Sequence, residues 1–228
     1  MNITFDFKDG NGPVFAHQHP NGGGWVADTA TVAATAYVGP DAIVSGKAIV
    51  SDYAKVSEYA KVSGNALVYG NAQVYGNVIV SGKAIVSEYA KVSGNARVSD
   101  YAKVSGNVSV CGNAEVSGNA RVYGNTEVYG NALVYGNAQV FDNARVSGSA
   151  LVHGNAKVSK TPVRISRSDG YDFVIVPCAD NVDRIIAGCR YFTYEEADEH
   201  WNEEHKMYAE TTIILRSLKE LYELQKTT

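Results

Sequence analysis

Valine occupies position 26 and every sixth position after it through Val158, making 23 valines without a slip or an insertion. Two residues before each valine stands a small residue, nearly always alanine (Ala30, Ala36, Ala42, Ala48 and on to Ala156). Gly24, Val78, Val108 and Thr126 are the compact exceptions. A period of six excludes an α-helical face, whose apolar residues recur at 3.6. It fits a chain that runs a short strand, turns a corner and repeats. Alanine and valine two apart on one strand point the same way, here inward. The intervening Gly-Asn, as in Val68-Tyr69-Gly70-Asn71-Ala72, supplies the corner, because Gly, and less easily Asn, tolerates positive φ. Three hexads close a triangular coil of 18 residues, so the repeats make about 7⅔ coils. At ~4.8 Å between stacked strands the prism is roughly 37 Å long. Each buried valine contributes about 1.5–2 kcal/mol gross against the entropy of ordering its hexad. Only stacking makes the array favourable, and both of its ends need caps.

This pattern resembles the bacterial hexapeptide-repeat proteins of the transferase type. The resemblance covers residues 24–158 and implies an all-β left-handed parallel β-helix, usually assembled as a trimer. The handedness comes from the resemblance and not from the period. The wording is also similar to hexapeptide-repeat proteins of phage and prophage genomes. It shares with them the dense Gly-Asn-Ala-x-Val text, the entry segment His19-Pro20-Asn21-Gly22-Gly23-Gly24-Trp25, and the tail Ala187-Gly188-Cys189-Arg190-Tyr191-Phe192-Thr193.

The repeat divides the chain into an N-terminal cap over 1–23, the β-helix over 24–159 and a small C-terminal α+β cap over 160–228. Residues 1–23 read as a strand from Ile3 to Phe7, a turn at Asp9-Gly10-Asn11-Gly12 and a loop into the first coil. Beyond Ser159, Val163 to Ile165 and Tyr171 to Val176 read as strands around Ser168-Asp169-Gly170, with a third at Arg184 to Ala187. Thr193 with Glu196 forms a capping box that opens a helix through about Lys206. A second helix from about Ala209 to Gln225 carries an apolar stripe of Ile214, Leu218, Leu221 and Tyr222.

The residue before each valine points outward, and residues 18 apart share a face. One face reads Thr31, Ile49, Leu67, Ile85, Lys103, Arg121, Gln139, Lys157. A second reads Trp25, Ile43, Lys61, Ile79, Arg97, Glu115, Leu133, Leu151. The third, Tyr37, Lys55, Gln73, Lys91, Ser109, Glu127, Arg145, is almost wholly polar. Aliphatic side chains in a row are costly to leave in water, so Ile49, Leu67 and Ile85 are the expected trimer interface. Aromatic residues sit at the corners in two sets. Tyr69, Tyr75, Tyr123, Tyr129, Tyr135, Phe141 and His153 follow a valine, whereas Tyr53, Tyr59, Tyr89 and Tyr101 replace the corner asparagine. They either stack between coils or line grooves suited to a flat ligand.

Charge narrows the function. Residues 1–159 carry eleven Lys/Arg and eleven Asp/Glu, and residues 160–228 carry nine and thirteen, which supplies the whole net charge of −4. No basic stripe exists for a long nucleic acid. Cys111, Cys178 and Cys189 are too few for a disulfide framework or a structural zinc site and read as free thiols. No apolar run suggests a membrane span and no signal peptide is visible, so the expected location is the cytoplasm, of the host cell if the chain is phage-encoded.

Three functions remain in view. By resemblance, one is an acyltransferase using acetyl-CoA, with a histidine base at a subunit groove and a loop extruded from a coil. Here the coils run unbroken from Val26 to Val158, and His153 is the single histidine within them. The second is a non-catalytic homotrimer without cofactor or metal, in which Arg97 and Arg121 of neighbouring subunits, with Tyr123, hold a small nucleotide-type anion. His17 and His19 are further candidates for its ligand, and the phage likeness implies sequestration of a nucleotide signal. The third is a structural spacer or virion scaffold. The Glu-rich first helix with His200 and His205 lacks the His-Glu-x-x-His order of a zinc protease and reads as a solvated face.

Overall fold

The computed structural model describes residues 3–178 and 180–227. Each hexad contributes a two-residue strand of an outward residue and its valine, and strands 18 residues apart pair in parallel, as Ile49, Leu67 and Ile85 do. The three resulting sheets are the three faces read from the sequence. The molecule is a parallel β-solenoid of about seven turns. From Ala36 to Val158 every inward alanine and valine is buried. Thr126 fits this apolar column because its hydroxyl donates to the Tyr123 carbonyl at 2.6 Å, which removes the penalty of an unpaired polar group.

The corners differ from expectation in one respect. Positive φ falls on the residue after the Ser/Tyr position, and where that residue is not glycine it is acidic: Asp52, Glu58, Glu88, Asp100 and Asp142, at φ 56–61°. The corner asparagines do not take it. They form side-chain ladders instead, such as Asn77 to Asn95 to Asn113 to Asn131 at 3.0–3.2 Å. Two of these acidic residues offset their left-handed backbone by capping the next coil. Asp52 and Asp100 accept the amides of Gly70 and Gly118, each at 3.0 Å.

The N-terminal segment is more ordered than a loop. Thr4–Asp6 and Pro13–Gln18 form an antiparallel hairpin, and the second strand pairs with Trp25–Ala27 at the edge of one solenoid sheet. Phe5 stacks on Trp25 over this edge. The hairpin extends only that face, so Ala30 and Val32 of the neighbouring side stay partly uncovered.

At the other end Val163–Ser166, Asp172–Val176, Arg184–Ala187 and Arg190–Phe192 form a four-stranded antiparallel sheet. The last of these strands was not expected. Alternation lets the sheet bury both faces: Val174, Val176 and Ile186 join the solenoid core, whereas Phe173, Ile175 and Ile185 pack on the helices. The sheet also continues the solenoid's hydrogen bonding, since Lys157 N–H donates to the Pro177 carbonyl at 2.7 Å. Helix α1 spans Tyr194–His200 and has the expected capping box of Thr193 and Glu196. It stops six residues short of Lys206 because Trp201 turns into the cap core, against Phe173 and Phe192. Helix α2, Tyr208–Thr227, buries Ile214, Leu215, Leu218 and Tyr222. Leu221 lies outside this stripe and is exposed, as are Ile213 and Leu224.

Candidate functional site

Strand register builds the outward surface rung by rung. On the first face Thr31, Ile49, Leu67 and Ile85 stack in one column, followed by Lys103, Arg121, Gln139 and Lys157. That face is therefore aliphatic in its N-terminal half and mainly basic in its C-terminal half. Each ladder side chain shields its neighbours, so Leu67 and Ile85 are half-buried within one chain. Ile49, which has only Thr31 on one side, is 41% exposed. The second face adds Ile43 and Ile79, with Lys61 between them.

Arg97 and Arg121 stand on different faces of one prism. Arg97 lies between Ile79 and Glu115 in its column, and Arg121 between Lys103 and Gln139. Neither makes an ion pair among the described residues. On the third face Glu127 pairs with Arg145 at 3.3 Å. Tyr123 sits at the corner beside Arg121, stacks on Phe141 with centroids 5.3 Å apart, and donates its hydroxyl to Gln139 at 3.4 Å. Two guanidinium groups offer forked donors to phosphate, and a held phenol ring offers a stacking face.

The candidate histidines occupy three environments. His17 is exposed, and its Nδ1 lies 2.8 Å from the Asp28 carboxylate. His19 is buried in the entry segment and bonds to the backbone of Asn21, whose side-chain amide donates to the Ala36 carbonyl. His153 is 7% exposed, sandwiched between Tyr135 and Tyr191 at 4.9 and 5.4 Å, and its Nε2 has no hydrogen-bond partner among the described residues. Burial pushes its pKa below the ordinary imidazole value, and a hydrogen bond to the Gly188 backbone opposes that shift. A general base needs reach to its substrate, and this ring is roofed by the cap.

The roof was not visible from the repeat. Tyr191 shares a 2.7 Å hydrogen bond with Cys178 Sγ, and the Arg184 guanidinium lies 5.3 Å from its ring centroid. Burial, and then the bond to Cys178, push the Tyr191 hydroxyl up to about 12. The nearest sequence signal was the tail segment Ala187 to Thr193. A cleft of about 230 Å³ also opens between the last coil and α2, lined by Val158, Pro162, Ile175 and Tyr222, with Lys160 and Lys226 at its edge. Both lysines are engaged, Lys160 with the Gln225 carbonyl and Lys226 with Asp183 and Glu223.

The corner aromatics divide as their positions do. Rings after a valine stack where consecutive coils both carry one, as Tyr123 with Phe141 and Tyr135 with His153. Tyr53, Tyr59, Tyr89 and Tyr101 are 55–66% exposed and make no ring–ring contact among the described residues. No group of three His, Cys, Asp or Glu is placed to hold a metal among those residues, and no helix is long and apolar enough to cross a membrane.

Comparison with known proteins bears on the fold. Residues 60–74, 72–88, 128–140 and 138–154 match the model of the YdcK beta solenoid repeat. No curated protein matches significantly. Among solved structures, the acetyltransferase domain of PglB from Neisseria gonorrhoeae, in complex with acetyl coenzyme A, aligns at 16% identity with a TM-score of 0.34. The alignment covers 54% of this chain and 53% of that one, so the chain spans about half the length of that structure. At this distance the likeness carries no argument about activity. The chain is a hexapeptide-repeat β-solenoid, with segments similar to the YdcK repeat.

Proposed function

We propose that this protein is a non-catalytic binding protein, a parallel homotrimer joined through its aliphatic ladders that holds a small anionic, nucleotide-type ligand between its prisms. The observation that carries the reading is the column of Ile49, Leu67 and Ile85, with Ile49 41% exposed, on a face that adjoins a second aliphatic one. The third face carries Lys55, Gln73, Lys91, Ser109, Glu127 and Arg145 and suits solvent. Two aliphatic faces meeting at one edge are what three prisms need to pack around a common axis. In that arrangement Arg97 of one subunit approaches Arg121 and Tyr123 of the next. Neither arginine has an ion-pair partner among the described residues of its own chain, which leaves both free for an anion. Affinity without turnover suits sequestration of a signal nucleotide.

Calorimetric titration with a panel of cyclic and linear nucleotides tests the ligand half of the proposal. Binding near one site per subunit, weakened by Arg97→Ala and by Arg121→Ala, is expected. Binding that ignores both changes moves the site elsewhere, His17 and the C-terminal cap being the next places to examine. No binding at all favours a scaffold.

A further inference from the structure

The corner asparagines link coil to coil, and among the corners that carry another residue four carry tyrosine. Tyr53, Tyr59, Tyr89 and Tyr101 occupy the asparagine position with their rings largely in solvent. Each is preceded by an acidic residue at positive φ and followed two positions later by a lysine: Lys55, Lys61, Lys91 or Lys103. Among lysines on the three faces only Lys157 lacks a corner tyrosine before it. Tyr101 meets Lys83 Nζ of the preceding coil at 5.0 Å, whereas Tyr53, Tyr59 and Tyr89 make no ring or cation contact among the described residues, and the pairing with lysine recurs on all three faces. In the unit Asp/Glu-Tyr-Ala-Lys the alanine and the capping Asp52 and Asp100 serve the solenoid, whereas the tyrosine ring and the lysine stand on its surface.

Two of the four units stand in line. Tyr53 and Tyr89 share one corner, two coils apart, which is about 10 Å. Between them lies Asn71, whose side chain has no ladder bond because tyrosine replaces asparagine on both sides. On the adjoining polar face Gln73 stands in register between Lys55 and Lys91. Shallow grooves run beside both rings, one lined by Tyr37, Tyr53 and Lys55, the other by Asn71, Gln73, Tyr89 and Lys91.

We propose that this strip, the Tyr53–Tyr89 corner with its adjoining polar face, binds a linear oligosaccharide. Pyranose rings present C–H faces that pack on the electron-rich face of a phenol ring. Their hydroxyls need amide donors and acceptors, which Asn71 and Gln73 supply. Rings two coils apart, with amides between, match a polymer whose stacked units alternate with unstacked ones. A nucleic-acid strand also stacks on aromatics, but it needs net positive charge along its track. Here Asp52 and Glu88 balance Lys55 and Lys91. The strip follows the corner where the Ile49–Leu67–Ile85 face turns into the polar face and uses no residue of that ladder, so this inference does not depend on the self-assembly proposed above.

The test uses the full chain on an array of hexose, hexosamine and uronate oligosaccharides, followed by calorimetry with the hexamer of any chain bound. Oligothymidylate runs in parallel. Tyr53→Asn/Tyr89→Asn is the informative variant, because asparagine is the repeat's own residue at that corner and the fold tolerates it. We expect this variant to bind roughly tenfold more weakly or worse, while Tyr59→Asn/Tyr101→Asn binds as wild type does. No saccharide binding, equal loss in both variants, or binding of oligothymidylate alone would each overturn the proposal.

Discussion

Val98 is fully buried at mid-solenoid, in register between Val80 and Val116. Changing it to alanine removes two methyl groups from a column whose neighbours are all backbone-paired and cannot collapse inward. The lost transfer free energy is about 1.6 kcal/mol at ~0.8 kcal/mol per group. A residual cavity of about 40–50 Å³ adds roughly 1 kcal/mol at ~24 cal/mol per Å³. The expected destabilisation is therefore about 2.5 kcal/mol, read as a lower guanidinium midpoint at unchanged slope. Because each coil touches only its neighbours, native-state hydrogen exchange should quicken first in the strands around Val80, Val98 and Val116. Isosteric Thr126→Val is the matched control. It removes a hydroxyl already satisfied by the Tyr123 carbonyl, and valine fills the same inward slot at Val78 and Val108, so its effect should stay within about 1 kcal/mol. A Val98→Ala loss below about 1 kcal/mol would refute a dry, close-packed and rigid prism interior.

Three further outcomes follow from the same geometry. The folded protein holds His153 neutral to lower pH than the unfolded chain does, so the unfolded chain takes up this proton first. Stability should fall as pH drops below about 6.5, and His153→Phe should reduce that slope and add about 1 kcal/mol by removing the unpaired Nε2; an unchanged slope counts against this. With acetyl-CoA and amine, hydroxyl or sugar acceptors, no CoA release is expected. Saturable release that disappears in His153→Ala would establish the acyltransferase reading instead. Changing Ile49, Leu67 and Ile85 together to lysine should yield soluble monomers with an intact β-sheet circular dichroism signal, and a variant that still self-associates would place the interface elsewhere.

The solenoid was legible because its rule is strictly local: an inward valine every sixth residue fixes strand, corner and register together. The column Ile49, Leu67, Ile85 could thus be indexed from spacing alone. What escaped depended on contacts distant in the chain. Pro13–Gln18 carries no repeat signal and becomes a strand only because the Trp25 edge is there to pair with. Asp52 and Asp100 read as ordinary surface acids until the next coil brings Gly70 and Gly118 N–H to them. His153 occupies an ordinary corner slot, and its burial is supplied by Tyr191, which arrives from the cap. Leu221 fitted the helical stripe in sequence but faces solvent, because the cap sheet meets α2 along Ile214, Leu215 and Leu218.

Native mass spectrometry of the wild-type protein at micromolar concentration reads the proposed trimer without substitution, since it reports subunit number and any retained small molecule together. The expected mass is that of three 24.4 kDa chains, with any bound ligand present in up to three copies and lost on denaturation. A spectrum dominated by the single 24.4 kDa chain would contradict it.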